Sequence, residues 1–183
     1  MVPMSTSKEA EELLKNSNIK LLAKCDDYEY VNPQRIFLEN EVLIQQKDSV
    51  ENFGNLVESF SAYGHDQFKG DLLLVIQMIQ VLETNSVVRL KDGRMISVSS
   101  GMINASEALE VAVSRSMLLS HQIDGGIVAF DSDPGIDVIK MAYDKWHIEC
   151  ILKPKEKKDR EEILEYVKDK GISLYEFDRR HYA

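Results

Sequence analysis

The chain has 183 residues, 44% apolar and 29% charged, with 22 basic against 31 acidic side chains and a net charge of −9. That acidity argues against general nucleic-acid binding, which draws its affinity from Lys and Arg neutralising phosphates. The longest apolar stretch is broken by Gln77 and Gln80 and is too short to span a bilayer. Two isolated cysteines, Cys25 and Cys150, suit reduced thiols in a cytoplasmic protein better than a disulfide or zinc framework.

Residues 5–16 have the pattern of a short amphipathic helix, and 19–31 read as loop or short strand. Asn32-Pro33 is a helix start signal, Asn as cap and Pro in the first turn. It predicts a helix over 33–46 with Ile36, Phe37, Val42 and Leu43 as its apolar residues. Asp48 or Ser49 caps the next, where Val50, Phe53, Val57 and Phe60 recur at helical spacing until Tyr63-Gly64. Asp66 opens a third, over about 67–84, apolar on nearly every side through Leu72 to Ile76. Such a helix belongs at a bundle centre or under a sheet. Residues 1–85 are therefore expected to form a mainly helical layer.

Ser86–Leu90 and Arg94–Val98 flank Lys91-Asp92-Gly93, and Asp-Gly supplies the positive backbone angles of a hairpin turn. Asn104 caps a helix over 105–121. From there strands over 127–130, 148–152 and 172–177 alternate with helices over 134–146 and 156–170, the last ending at Gly171. Alternation of this kind implies parallel strands joined by right-handed crossovers. The expected fold is α+β/α/β: an N-terminal helical layer, one β-hairpin, and a C-terminal βαβαβ Rossmann-like unit of three parallel strands. With no repeat or linker in view, residues 1–183 read as one domain, with the hairpin and sheet over 86–183.

Parallel strands bring their carboxyl ends to one edge, where open α/β sheets bind ligands. That edge collects Asp131, Ser132 and Asp133, then Lys153 and Lys155, then Asp178, Arg179, Arg180 and His181. Two acids among several bases suit a phosphorylated ligand, or a magnesium ion with Asp131 and Asp133 as its ligands. The helix beginning at Pro134-Gly135 adds the positive end of its dipole. Asp133 before a proline equally suits a simple helix cap.

Residues 127–153, Ile-Val-Ala-Phe-Asp-Ser-Asp-Pro-Gly through Ile-Glu-Cys-Ile-Leu-Lys, resemble the Asp-x-Asp half of a toprim domain, the magnesium-binding module of primases and topoisomerases. The resemblance implies that Asp131 and Asp133 are metal-binding acids. Where a toprim strand ends in Glu-Gly, this chain has Val98-Ser99-Ser100-Gly101, and nothing extends the likeness to the whole chain.

No Walker loop, nucleophile elbow or dinucleotide-binding turn is present. The chain accordingly reads as a small acidic accessory or regulatory protein that binds a protein partner, without catalysis or cofactor. The alternative is a magnesium-dependent phosphate-handling enzyme, or a phosphorylated-ligand binder, at the strand-end crevice.

Overall fold

A computed structural model describes residues 34–37, 42–45, 56–63, 67–118, 124–155 and 159–177. The chain divides into two compact units, Met1–Ile44 and Gln45–Ala183. Strand β1 (Gln34–Phe37) pairs with β2 (Val42–Gln45), which reaches the boundary, in a two-stranded sheet. This corrects the helix expected over 33–46. Val42 and Ile44 are β-branched and two residues apart, a pattern that favours extended backbone, and a proline start signal does not dictate the conformation of the residues after it. The elements expected over 5–16 and 19–31 lie outside the described residues.

In the second unit six strands order as β3-β8-β7-β6-β4-β5. They are β3 (Val57–Phe60), β4 (Val87–Lys91), β5 (Arg94–Ser99), β6 (Ile127–Phe130), β7 (Cys150–Pro154) and β8 (Ser173–Phe177). β6, β7 and β8 run parallel, while β3 joins β8, β4 joins β6 and β5 joins β4 antiparallel. The sheet is therefore mixed and the protein mixed α/β. β3 corrects the second expected helix: the spacing of Val57 and Phe60 is helical, but the segment pairs with β8 as a strand whose register shifts between Glu58 and Phe60. Among the described residues, the N-terminal helical layer reduces to α1 (Lys69–Val81).

Alternation along the central strands supplies both faces of the sheet. Ile127, Ala129, Cys150, Leu152 and Tyr175 pack with Leu72, Val75, Ile76 and Ile79 of α1. Val128, Phe130, Ile151 and Leu174 pack beneath α2 (Ala105–Leu118), α3 (Gly135–Trp146) and α4 (Arg160–Lys170). Burying each large aliphatic side chain stabilises the fold by about 1.5–3 kcal/mol. α1 covers only one face, so its opposite side leaves Leu73, Leu74 and Val81 exposed.

Local signals explain where the elements start and stop. Asp92 and Gly93 turn the β4–β5 hairpin at φ 50° and 71°. Asn104 Oδ1 accepts from the Glu107 amide at 2.9 Å while the Glu107 carboxylate accepts from the Ile103 amide at 2.8 Å, a reciprocal cap at the start of α2. Gly171, at φ 64°, ends α4, with its amide and that of Ile172 donating to Lys168 and Val167 carbonyls. Arg89 is a buried cation on β4. Its guanidinium lies 4.6 Å from the centre of the Trp146 ring and donates to the Gly125 carbonyl at 3.3 Å. Burial lowers its pKa to about 10, against the opposing pull of Asp124. No helix among the described residues is long and apolar enough to cross a membrane.

Candidate functional site

The carboxyl ends of β6, β7 and β8 share one edge, because all three run parallel. Two of the residues expected to meet there do so directly. Lys153, the fourth residue of β7, has no solvent exposure, and its Nζ donates to Asp133 Oδ1 at 3.0 Å and to the Pro154 carbonyl at 2.9 Å. Asp133 follows β6 and keeps 23% of its side chain exposed. The pair thus presents a carboxylate to solvent with a buried ammonium behind it.

Asp131 has a different task. It is fully buried, its Oδ1 accepts from the Ser86 amide at 2.7 Å, and its own amide donates to the Ser86 carbonyl at 3.3 Å. This two-way tie fastens the end of β6 to the segment that enters β4, extending the antiparallel pair Val87↔Phe130. Between the two acids, the buried Ser132 hydroxyl has no hydrogen-bond partner among the described residues. Pro134 occupies the cap position of α3 without a side-chain cap bond, and Gly135 follows at φ 63°, a left-handed conformation that suits glycine.

Lys155 is exposed, and its amide ties β7 to the Phe177 carbonyl at 2.8 Å. Asp178, Arg179, Arg180 and His181 lie outside the described residues. As a magnesium site the edge has an unsuitable donor set: Asp133 already faces an ammonium and Asp131 a backbone amide. Mg2+ needs oxygen ligands arranged for octahedral coordination. No group of three His, Cys, Asp or Glu side chains able to hold a metal occurs among the described residues.

Sequence reasoning missed three contributors. Glu176 of β8 is in register with Lys153, is fully buried, and places Oε1 3.9 Å from Lys153 Nζ. Its Oε2 accepts from Arg160 at 2.9 Å and from the Ser59 hydroxyl. The available signal was alternation: Leu174 and Glu176 share one face of β8, so a strand buried on both faces carries one acid inward. On the other face, an open cleft of about 370 Å³ lies between α1 and β8, lined by Leu56, Leu72, Leu73, Ile76 and Tyr175. There Tyr175 donates to Glu58 at 2.8 Å.

A mixed sheet with helices on both faces and a polar cluster at its parallel-strand edge defines a class, the mixed α/β proteins. The family is narrower. The chain belongs to the AICARFT/IMPCHase bienzyme family, whose model matches residues 1–115. It is 27% identical over 177 residues to the bifunctional purine biosynthesis protein PurH of Clostridium botulinum (strain Kyoto / Type A2), covering 95% of this chain and 34% of that protein. PurH of Mycobacterium marinum is 23% identical over 181 residues, covering 94% and 33%. The chain thus spans about a third of the length of the curated relatives it matches. A dCMP deaminase from the cyanophage S-TIM5 aligns at 14% identity with a TM-score of 0.41, over 61% of this chain and 98% of its own, a likeness too low to show a shared fold.

Family membership corrects several expectations. The likeness of 127–153 to a toprim domain does not identify the chain, which belongs to another family and is similar to PurH along 95% of its length. The reading as a non-catalytic accessory or regulatory protein fails as well, because the family is one of enzymes. The absence of familiar catalytic motifs misled here, since those motifs belong to particular chemistries and do not cover every enzyme.

Proposed function

We propose that this chain is a catalytic unit of purine biosynthesis, of the AICAR formyltransferase/IMP cyclohydrolase type, and that its strand edge holds part of a purine-precursor ribonucleotide. Family membership over residues 1–115 carries this reading, supported by similarity to PurH along 95% of the chain. The chemistry of the edge agrees with such a ligand. Asp133, held by Lys153, is an acceptor for an amine or for ribose hydroxyls. The Ser132 hydroxyl and the positive end of α3 suit a phosphate. A metabolic enzyme with a free, buried Cys150 thiol fits a cytoplasmic location.

The test is calorimetric titration of the purified chain with AICAR, IMP and the dephosphorylated nucleoside of each, beside assays of formyl transfer and ring closure. The reading expects saturable binding of at least one nucleotide and at least tenfold weaker binding of its nucleoside, roughly the loss of one charge-assisted contact. Folded protein that binds neither nucleotide refutes it.

A further inference from the structure

We infer that Arg160 is a positioning residue for the strand-edge site: by holding Glu176 through Oε2 it keeps that carboxylate out of hydrogen-bond reach of the buried Lys153 ammonium, which bonds Asp133 instead. The inference rests on the reading that Asp133 meets the ligand.

Four charged side chains form a line from the first residue of α4 to the sheet edge, in the order Arg160, Glu176, Lys153, Asp133. Its two inner members are fully buried, while Arg160 and Asp133 keep 36% and 23% of their side chains exposed. The signs alternate, so each buried charge lies between two opposite ones. Burial on these terms is tolerable, whereas removing one partner leaves its neighbour uncompensated.

Lys153 has two carboxylates within reach but bonds only one of them. Its Nζ is 3.0 Å from Asp133 and 3.9 Å from Glu176, the latter too long for a hydrogen bond. The reason lies behind Glu176. Arg160 donates to Oε2 at 2.9 Å and the Ser59 hydroxyl donates to the same oxygen, which pins the carboxylate toward α4 and β3. Ser59 sits where the β3–β8 register shifts, between Glu58 and Phe60, so an irregularity of the edge strand aims this hydroxyl inward. Lys153 is flexible along its four-carbon stem, and Glu176 Oε1, buried without a hydrogen-bond partner among the described residues, is kept 3.9 Å from its ammonium by the two bonds that hold Oε2. Without Arg160, Glu176 competes for the ammonium and Asp133 loses its fixed orientation. A surface residue on α4 thereby governs a group at the carboxyl end of β6.

The test uses Arg160→Gln, Arg160→Gln/Glu176→Gln and Arg160→Lys, with two readouts on the folded proteins. One is AICAR affinity by calorimetry; the other is the Nζ ammonium resonance of Lys153 in 15N-labelled protein. Arg160→Gln should weaken AICAR binding about tenfold, the scale of one lost charge-assisted hydrogen bond, and shift the Lys153 resonance. Removing the competitor in the double variant should restore both, and Arg160→Lys should retain most of the affinity. Arg160→Gln removes one partner of the buried Glu176 and costs stability, so every variant is titrated well below its own melting midpoint; should the double variant fail to fold, Arg160→Gln/Glu176→Leu takes its place. An Arg160→Gln protein with unchanged affinity and resonance overturns the inference, as does a double variant no better than the single one. If wild-type protein binds no AICAR, the substrate reading fails separately, and the shift and recovery of the Lys153 resonance decide the positioning role.

Discussion

Lys153 and Asp133 meet at 3.0 Å across the ends of two neighbouring parallel strands, the lysine without solvent exposure and the aspartate partly open. The asymmetry determines what each substitution does. Lys153→Met leaves Glu176 buried beside a thioether and Asp133 without its partner, and should cost about 3–5 kcal/mol, the usual penalty for breaking a buried ion pair. Asp133→Asn keeps an acceptor for the ammonium and stays near water, so it should cost no more than about half as much. Urea unfolding of the two variants checks the order.

Asp131 should behave as a structural residue. Replacing it by Ala strands the buried Ser86 amide, for an expected loss of about 1–3 kcal/mol. Millimolar magnesium should leave the melting midpoints of wild type and Asp131→Ala unchanged, because the acid is committed to the backbone. A magnesium-dependent rise in wild type, lost in the variant, would show that Asp131 binds the ion.

Tyr175 connects stability to alkaline pH. Burial first, then the hydrogen bond to Glu58 and its negative charge, raise the phenol well above its ordinary 10. Between those values the folded protein keeps a proton that the unfolded chain releases. Its stabilising effect is therefore complete below pH 10 and declines as pH rises above it. Tyr175→Phe should lose about 1 kcal/mol at neutral pH and show a flatter decline in alkali. Thermal midpoints across that pH range test the slope.

Much of the second unit was legible in the sequence, and the reasons are local. Asp92-Gly93 can make few structures other than a hairpin turn, and the apolar run Ile127 to Phe130 followed by Pro134-Gly135 fixes a strand-to-helix step. The errors at β1, β2 and β3 have a common source. Segments of four residues are too short to establish a period, and their state is decided by a partner strand that no local pattern reveals. The candidate site divides in the same way. Asp133 and Lys153 could be paired because both follow from parallel topology, whereas Arg160 and Ser59 come from α4 and β3 and meet only through Glu176.

Gly126 shows how tightly the entry to β6 is built. It has φ 84°, and a Cβ there would lie 2.5 Å from the Leu90 carbonyl oxygen. The same residue's amide donates to Glu149 at 2.8 Å. Gly126→Ala combines a left-handed backbone with a backbone clash and should cost at least about 2 kcal/mol. Gly93→Ala, with open space at its Cβ, should cost less. Chemical denaturation of both compares strain alone with strain plus clash.

The central claim is that the Asp133 carboxylate, oriented by Lys153, recognises a purine-precursor ribonucleotide. Its most direct measurement is AICAR affinity for wild type and Asp133→Ala, each shown by circular dichroism to be folded at the titration temperature. The account predicts saturable binding to wild type and binding about tenfold weaker or more in the variant; equal affinity in the two proteins would contradict it.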